Sequence, residues 1–487
     1  MNFENRVRSM VVLGVLCLVL PLGAGAAEPA SAPLAAGPSP KTPAIAAVPA
    51  RKKLLIVGPQ AFHPQLQDYI AHKQKQGPAE LVSLEAVLAG AMGRDDPERL
   101  KRFFFDHWKN HAAGYVLLVG DADVFPVRYM VLDRATPAAF DYAFYPSDLY
   151  YSDLANERGE FDDWNAEREG FHADYIGEVR GEKNKFDAIN YDNVDYRPEI
   201  AVGRWPVSNA EEVTRIVAKT IAYEQGLRDE GRAGAKSAVL MSVGGWVDSR
   251  GAMDRLSERL PSDWKLNKRY YADPFRNDKT PPPTQKQLVE LLNSGQRLVY
   301  HAGHGFDHGW DRCFSIRAIK QVHNSDRLPI IISAGCSSGR LATLPPYEPY
   351  VDTAGVEHKG TTAGEVFDAP PPPPACCQKG RFNPTGLGEQ LLRQGPNGAV
   401  AYIGCNTGSQ PCGMTLLDGF SETLSRDPDA LLGDCWTGAI CYYYDKENLA
   451  TIAPTKSWYP ASIFFQGMKF MLYGDPTLPM GRPASER

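Results

Sequence analysis

The chain has 487 residues, a formal net charge of −6 at neutral pH, 43% hydrophobic residues and 23% charged residues. This composition excludes a disordered or fibrous chain and predicts soluble globular domains. The slightly acidic balance argues against binding to nucleic acid or to an anionic membrane surface, so we expect no nucleic-acid partner.

The N-terminus has the pattern of a targeting segment. Arg6 and Arg8 precede an apolar run over residues 10–22, which has the length of a signal peptide and is short for a transmembrane helix. An Ala-x-Ala sequence at 24–26 predicts cleavage after residue 26. No later segment has the pattern of a transmembrane helix. We therefore expect a mature protein that is secreted, periplasmic or at the cell surface.

The first half of the mature chain predicts an α/β subdomain over residues 51–226. It follows a linker over 27–50 that is rich in Ala, Pro and Ser and is expected to be disordered. Apolar strands alternate with amphipathic helices, which is typical of a parallel sheet. The clearest strands are 54–58, 115–120 and 198–204, and the clearest helices are 97–110 and 209–226.

Residues 148–195 break this alternation, because they are acidic, aromatic and without periodicity. We expect a solvated surface loop there. A lid and a calcium-binding loop are the functional alternatives, so Ca²⁺ is a candidate structural ion.

The second half predicts another α/β subdomain over residues 227–480, followed by a tail over 481–487. Strands are predicted at 237–243, 266–271, 297–302, 328–334 and 398–404. Helices are predicted at 251–260, 284–294, 315–324, 386–394 and 412–425. A long insertion over 341–383 contains five successive prolines and is expected to overhang the site proposed below.

Two short motifs carry the predicted chemistry. In residues 298–305, an apolar strand runs into a glycine-flanked turn that bears His304. In residues 328–339, an apolar strand ends in small residues around Cys336. The two residues are 32 positions apart, which leaves room for one strand-helix-strand unit.

A crossover of this kind makes its two strands parallel. Both strands then end on the same edge of the sheet, outside which ligands of open α/β sheets bind. We therefore expect His304 and Cys336 to be neighbours at this edge. The backbone N–H groups of Gly305 and Cys336 are the predicted oxyanion hole.

A thiol and an imidazole together supply a nucleophile and its proton-transfer partner. The thiolate is intrinsically very nucleophilic, and a nearby imidazole favours it and then protonates the leaving amine. Positioned proton transfer contributes about 10²–10⁴-fold. We predict Cys336 as the nucleophile and His304 as the general acid and base, with no cofactor required.

Taken alone, each of these residues has a plainer interpretation. A single cysteine after an apolar strand is more often an inert core thiol, and a single histidine beside glycine is more often structural. A zinc site formed by His301, His304 and His308 is a competing interpretation. The glycines interleaved among them disfavour the helix that such spacing would need, so we predict no catalytic metal.

With these two motifs in this order, the chain resembles the caspase-like clan of cysteine peptidases (clan CD) and, within it, the gingipain family, peptidase family C25. Stretches similar to family blocks lie at 115–123, 147–151, 200–206, 300–305, 328–338, 398–403 and 472–478. The resemblance covers about residues 52–480. It implies two α/β subdomains, of which the second is a caspase-like parallel-sheet sandwich flanked by helices and carries Cys336 and His304 as the catalytic dyad.

The resemblance also implies roles for acidic residues. Family members often have an acid after the strand at 237–243 that orients the catalytic histidine. This chain has Val243 there, and Asp248 is the nearby substitute. Arginine- or lysine-specific members place an acid in the specificity pocket, on the next helix, where this chain has Asp254. A buried Asp254 would pair with a basic P1 side chain, but an exposed first-turn aspartate fits the position equally well.

Three functions are compatible with these residues. The first is an exported cysteine endopeptidase that cleaves peptide or protein substrates through an acyl-thioester, after basic P1 residues. The second is a catalytically inactive binding protein, at the surface or in secretion, on a peptidase scaffold. The third is a sortase-like transpeptidase, in which an amine rather than water accepts the acyl group.

Overall fold

A computed structural model describes residues 52–480 except 134–141, 167–168, 181–187, 231–235, 273–280, 363–364 and 455–459. The predicted signal peptide, linker and C-terminal tail lie outside the described residues. Within the described ranges, no helix is both long and apolar enough to cross a membrane.

The elements of the first half follow the predicted alternation. The strands are β1 (Lys53–Gly58), β2 (Ala79–Ser83), β3 (Ala113–Val119), β4 (Tyr129–Asp133), β5 (Tyr142–Pro146), β6 (Val179–Arg180) and β7 (Ala201–Trp205). The helices are α1 (His63–Gln74), α2 (Leu84–Gly90), α3 (Asp96–His111), α4 (Leu149–Ser152) and α5 (Ala210–Glu230). Helix α5 continues through Gly226, the predicted end of the first subdomain. The division of the chain into two subdomains at this point stays a prediction.

Every strand predicted for the second half, and every helix predicted there except that at 315–324, lies within a few residues of an observed element; α10, α11 and the remaining strands were not predicted. The strands are β8 (Ser237–Ser242), β9 (Lys265–Tyr270), β10 (Leu298–Ala302), β11 (Gly305–Phe306), β12 (Gly309–Trp310), β13 (Phe314–Ser315), β14 (Ile330–Ser333), β15 (Tyr350–Val351), β16 (Glu357–His358), β17 (Ala401–Cys405) and β18 (Phe470–Tyr473). The helices are α6 (Arg250–Arg259), α7 (Gln285–Asn293), α8 (Leu387–Arg393), α9 (Gly413–Arg426), α10 (Leu432–Lys446) and α11 (Pro460–Phe465).

The connection from β10 to β14 differs from the predicted one. A small antiparallel sheet of β11, β12 and β13 follows β10. The helix predicted at 315–324 is a 3₁₀-helix over Ile316–Gln321. A short 3₁₀-helix suffices because the small sheet covers part of the distance back to the start of β14.

Ten strands form one sheet in the order β2-β1-β3-β7-β18-β17-β14-β10-β8-β9. Neighbouring strands are parallel throughout, except that β17 and β18 are antiparallel. The sheet therefore consists of two parallel blocks that run in opposite directions and meet at β17 and β18. This arrangement confirms the predicted α/β fold class.

Both faces of the sheet are covered, which explains why its strands are continuous apolar runs rather than alternating ones. In β10, Leu298 and Tyr300 belong to one hydrophobic core, and Val299 belongs to the core on the opposite face. In β14, Ile332 belongs to the same core as Leu298, and Ile331 belongs to the core on the opposite face. Each such burial contributes about 1.5–3 kcal/mol, so the cores on both faces fix the strands that lead to the predicted site.

The expectation of a solvated loop over 148–195 is wrong for the buried stretches of this segment, which alternate with exposed ones in its described part. The Trp164 side chain is 1% exposed, and its ring lies 5.4 Å from that of Tyr150 in an edge-on contact. Asp148 accepts two hydrogen bonds from the buried guanidinium of Arg204, at 2.8 and 2.7 Å. Aromatic packing and paired charges therefore make this acidic segment part of the core.

The insertion over 341–383 packs against the first half of the chain. The Tyr129 hydroxyl donates to the carbonyl of Thr343 at 3.1 Å. The backbone N–H of Phe144 donates to the carbonyl of Pro345 at 2.8 Å. The Tyr350 hydroxyl donates to the carbonyl of Pro372 at 2.9 Å, within the insertion itself. No described residue of this insertion lines the cavity at the predicted site, so the expected overhang is not part of its wall.

The buried position of Trp164 predicts a large difference between two tryptophan substitutions. Trp164→Ala is expected to lower the free energy of unfolding by about 3–5 kcal/mol, because it leaves a core cavity. Trp246→Ala is the matched control, since the Trp246 side chain is 75% exposed, and its effect should stay within about 0.5 kcal/mol. Urea unfolding of both variants checks this, and similar losses would contradict burial of the 148–195 segment.

Candidate active site

Adjacent parallel strands bring the two predicted motifs to one edge of the sheet. Strand β10 pairs with β14, with His301 opposite Ser333 in the register. The strands end at Ala302 and Ser333, and the chain then turns into the segments that carry His304 and Cys336. Both turns therefore lie at the carboxyl ends of their strands, as predicted.

His304 and Cys336 line the same cavity, and both are half-buried. The other residues of the wall come from the loop after β8, the ends of β10 and β14, and the segment leading into α9. They are Gly245, Trp246, Val247, Ser249, Ala302, Gly303, Ala334, Ser409, Gln410, Pro411 and Met414. The structure thus brings the predicted nucleophile and its predicted proton-transfer partner together.

The turn that bears His304 is held by backbone contacts on both sides. The N–H of His304 donates to the carbonyl of Gly244 at 3.0 Å, and its carbonyl accepts from the N–H of Asp311 at 3.0 Å. Gly303 has φ +119°, and a Cβ there would lie 2.4 Å from the carbonyl oxygen of Val243. Only glycine fits this position, so the sequence fixes the close approach of the histidine turn to the loop after β8.

The turn that bears Cys336 is held by a buried serine. The N–H of Gly335 donates to the Ser333 hydroxyl at 3.2 Å, and the Ser338 hydroxyl donates to the carbonyl of Gly335 at 3.0 Å. Ser337 has φ +53°, in the left-handed region, and its N–H donates to the carbonyl of Thr407 at 2.7 Å. These hydrogen bonds offset the strain in the turn and hold the Cys336 thiol at the cavity.

The backbones of the two turns are in close contact. A Cβ on Gly305 would lie 2.9 Å from both the carbonyl oxygen of Cys336 and the backbone of Gly335. The two segments predicted to supply oxyanion N–H groups therefore lie side by side. Their role in binding an oxyanion stays a prediction.

Ser409 contacts the sulfur of Cys336, the predicted nucleophile, and was not predicted from the sequence. Its N–H donates to the sulfur of Cys336 at 3.3 Å, and its carbonyl oxygen lies 3.6 Å from the same sulfur. The N–H group is suited to a thiolate, and the carbonyl is suited to the S–H of the thiol. The available signal was positional, because Ser409 follows β17, the neighbour of β14 at the same edge.

A buried polar layer lies beneath the two turns. His301 stacks on Trp310 with ring centroids 4.7 Å apart, and its Nδ1 is 2.9 Å from the Ser333 hydroxyl. Burial lowers the pKa of His301 to about 3, so its ring is neutral at neutral pH where it contacts the Ser333 hydroxyl.

The zinc interpretation has no support from this geometry. Across the described ranges, no group of three or more His, Cys, Asp or Glu side chains is arranged to hold a metal ion. His301 is fully buried, whereas His308 is exposed and lies 2.8 Å from Asp307. A calcium site around residues 148–195 stays a prediction, since parts of that segment lie outside the described residues.

Neither of the two predicted acidic residues lines the cavity. Asp248 accepts from the buried guanidinium of Arg250 at 2.8 and 2.9 Å, and this hydrogen bonding lowers the pKa of Asp248. Asp254 on α6 accepts from the Lys268 ammonium at 2.6 Å and from the Tyr270 hydroxyl at 2.9 Å. Their proposed roles in orienting His304 and in specificity stay predictions.

The contact between the turns predicts different effects for two glycine substitutions. Gly305→Ala is expected to lower the free energy of unfolding by about 1–3 kcal/mol, because the added methyl group meets rigid backbone. Gly244→Ala is the matched control in the same site, since a Cβ there meets nothing within 4 Å. Equal unfolding free energies of the two variants would contradict the close packing of the histidine and cysteine turns.

Comparison with known proteins places this site in a family. The model of peptidase family C25 matches residues 48–367 and 374–481. Gingipain R2 of Porphyromonas gingivalis strain W83 is 21% identical over 411 residues, which is 83% of this chain and 47% of the relative. Gingipain R1 of the same species is 26% identical over 269 residues, which is 54% of this chain and 25% of the relative. The chain thus spans at most about half of these relatives.

Two solved structures share the fold. The crystal structure of the Arg-specific cysteine proteinase gingipain R superimposes with a TM-score of 0.56 at 17% identity, covering 88% of this chain and 78% of that one. The complex of the RgpB pro- and mature domains of P. gingivalis gives 0.55 at 16% identity, covering 88% and 79%. With the family match over most of its length, the chain belongs to peptidase family C25, the family of the gingipain cysteine peptidases.

Proposed function

We propose that this protein is an exported cysteine endopeptidase that hydrolyses peptide bonds through Cys336 and His304. The observation that carries the proposal is that both residues line one cavity, at the ends of adjacent parallel strands. Membership of a cysteine peptidase family agrees with this pairing. Export rests on the signal-peptide pattern of residues 1–26.

In the proposed acylation step, His304 takes the proton of the Cys336 thiol, and the sulfur attacks the carbonyl carbon of the scissile bond. The N–H groups of Gly305 and Cys336 bind the oxyanion of the tetrahedral intermediate. The intermediate collapses with cleavage of the C–N bond, and His304 returns its proton to the leaving amine. The product is an acyl-thioester on Cys336.

In the proposed deacylation step, His304 takes a proton from water, and the hydroxide attacks the thioester carbonyl. Cleavage of the C–S bond releases the carboxylic acid and restores the thiol. The residues present complete both steps without a cofactor.

The position of His304 in this scheme comes from the backbone. Val243, at the position aligned with the orienting acid, is buried and apolar, and Asp248 is engaged by Arg250. The hydrogen bonds of His304 to Gly244 and Asp311 fix where its side chain leaves the main chain. We therefore propose a dyad rather than a triad.

A non-catalytic binding protein is the second candidate, and the apolar Val243 favours it. The two candidates differ in one outcome, because only an enzyme turns over a substrate. A transpeptidase would be recognised by an amine acceptor that diverts the acyl group from water.

The proposed dyad predicts the effect of three substitutions on a quenched fluorescent peptide library with all residues at P1. Cys336→Ala is expected to abolish hydrolysis, and His304→Ala to lower kcat by about 10²–10⁴-fold, because proton transfer is lost. Cys441→Ala is the matched control, since Cys441 is also a half-buried free thiol but does not line the cavity. Hydrolysis that survives in Cys336→Ala would contradict the proposal.

A further inference from the structure

We propose that the cavity beside Cys336 selects an apolar P1 side chain rather than a basic one. This inference rests on the proposed peptidase function and names the substrate class of the same site. It departs from the basic preference that the sequence suggests through Asp254.

Large apolar side chains form much of the cavity wall. Trp246 and Val247 are 75% and 48% exposed, and both line the cavity. Pro411 and Met414 contribute to the same wall. Large apolar side chains that stay exposed beside a nucleophile mark a surface that an apolar ligand group covers.

The same wall carries no carboxylate, because its lining residues among the described part of the chain include no Asp or Glu. A guanidinium or ammonium group that leaves water needs a charged, hydrogen-bonded partner, or its binding is penalised. A basic P1 side chain would find none on this wall.

Asp254, the carboxylate that the sequence offers as partner of a basic P1 side chain, is already engaged by a basic side chain of the protein. Its carboxylate is bound by the Lys268 ammonium at 2.6 Å and by the Tyr270 hydroxyl at 2.9 Å. A substrate arginine would have to displace this lysine.

Asp248 is the carboxylate closest in sequence to Trp246 and Val247. Its two oxygens are bound by Arg250, whose side chain is buried. This pair holds the loop after β8 on the start of α6. The same pairing leaves Arg250 unsuited to an acidic P1 side chain, so the wall favours neither charge.

The primary test is a panel of fluorogenic peptides that differ only at P1, with Leu, Met, Phe, Ala, Arg, Lys and Asp, hydrolysed by the wild-type protein. We expect kcat/KM for Leu, Met or Phe to exceed that for Arg and Lys by at least about 10-fold, the range that apolar pocket contacts supply. A preference for Arg or Lys would overturn the inference while leaving the peptidase function intact.

A pair of valine substitutions tests whether this wall sets the preference. Val247→Asp places a carboxylate on the wall and should lower the ratio of kcat/KM for Leu over Arg by about 10-fold or more. Val356→Asp is the matched control, because Val356 is 53% exposed and does not line the cavity. An unchanged ratio in Val247→Asp would overturn the assignment of the wall to P1.

A binding measurement separates failure of this inference from failure of the proposed function. The full-length Cys336→Ala protein is titrated by calorimetry with the Leu and Arg peptides, which needs no turnover. We expect the Leu peptide to bind at least about 10-fold more tightly. Equal or tighter binding of the Arg peptide would overturn the inference, whether or not the wild-type protein hydrolyses any peptide. Absence of hydrolysis by the wild-type protein would by itself count only against the peptidase function.

Discussion

The parallel hydrogen bonding of β10 to β14 is the constraint on which the site depends. It sets His301 opposite Ser333, so both strands end at the same level of one sheet edge. The chain can then place His304 and Cys336 in one cavity although 32 positions separate them. Apolar residues buried on both faces of each strand hold this register, because a shift by one residue would exchange the two cores.

Around this pairing, backbone rather than side-chain contacts do most of the positioning. The histidine turn hydrogen-bonds to the loop after β8, and the N–H of Ser409 reaches the sulfur of Cys336. Backbone contacts fix where a side chain begins but leave its torsions to the surrounding walls. The apolar Val243 is therefore compatible with the proposed dyad, but it supplies no carboxylate at the position where one would lock the rotation of the imidazole.

Much of the fold was predictable because buried parallel strands are continuous apolar runs, and the two catalytic candidates followed from their place after such runs. Other features depend on contacts between distant parts of the chain. The burial of Trp164 and the pairing of Asp148 with Arg204 give no local periodicity, so the acidic segment resembles a surface loop. Ser409 and the apolar wall around Trp246 likewise become part of the site only when loops from separate strands meet.

The most direct test of the account is the rate at which iodoacetamide alkylates Cys336 at neutral pH. The rate is measured in the wild-type protein and in His304→Ala by mass spectrometry of the peptide that contains Cys336. Because the imidazole assists formation of the thiolate, the account predicts alkylation at least about 10-fold slower in the variant, with labelling of Cys441 unchanged. Equal rates at Cys336 in the two proteins would contradict the pairing of this thiol with His304.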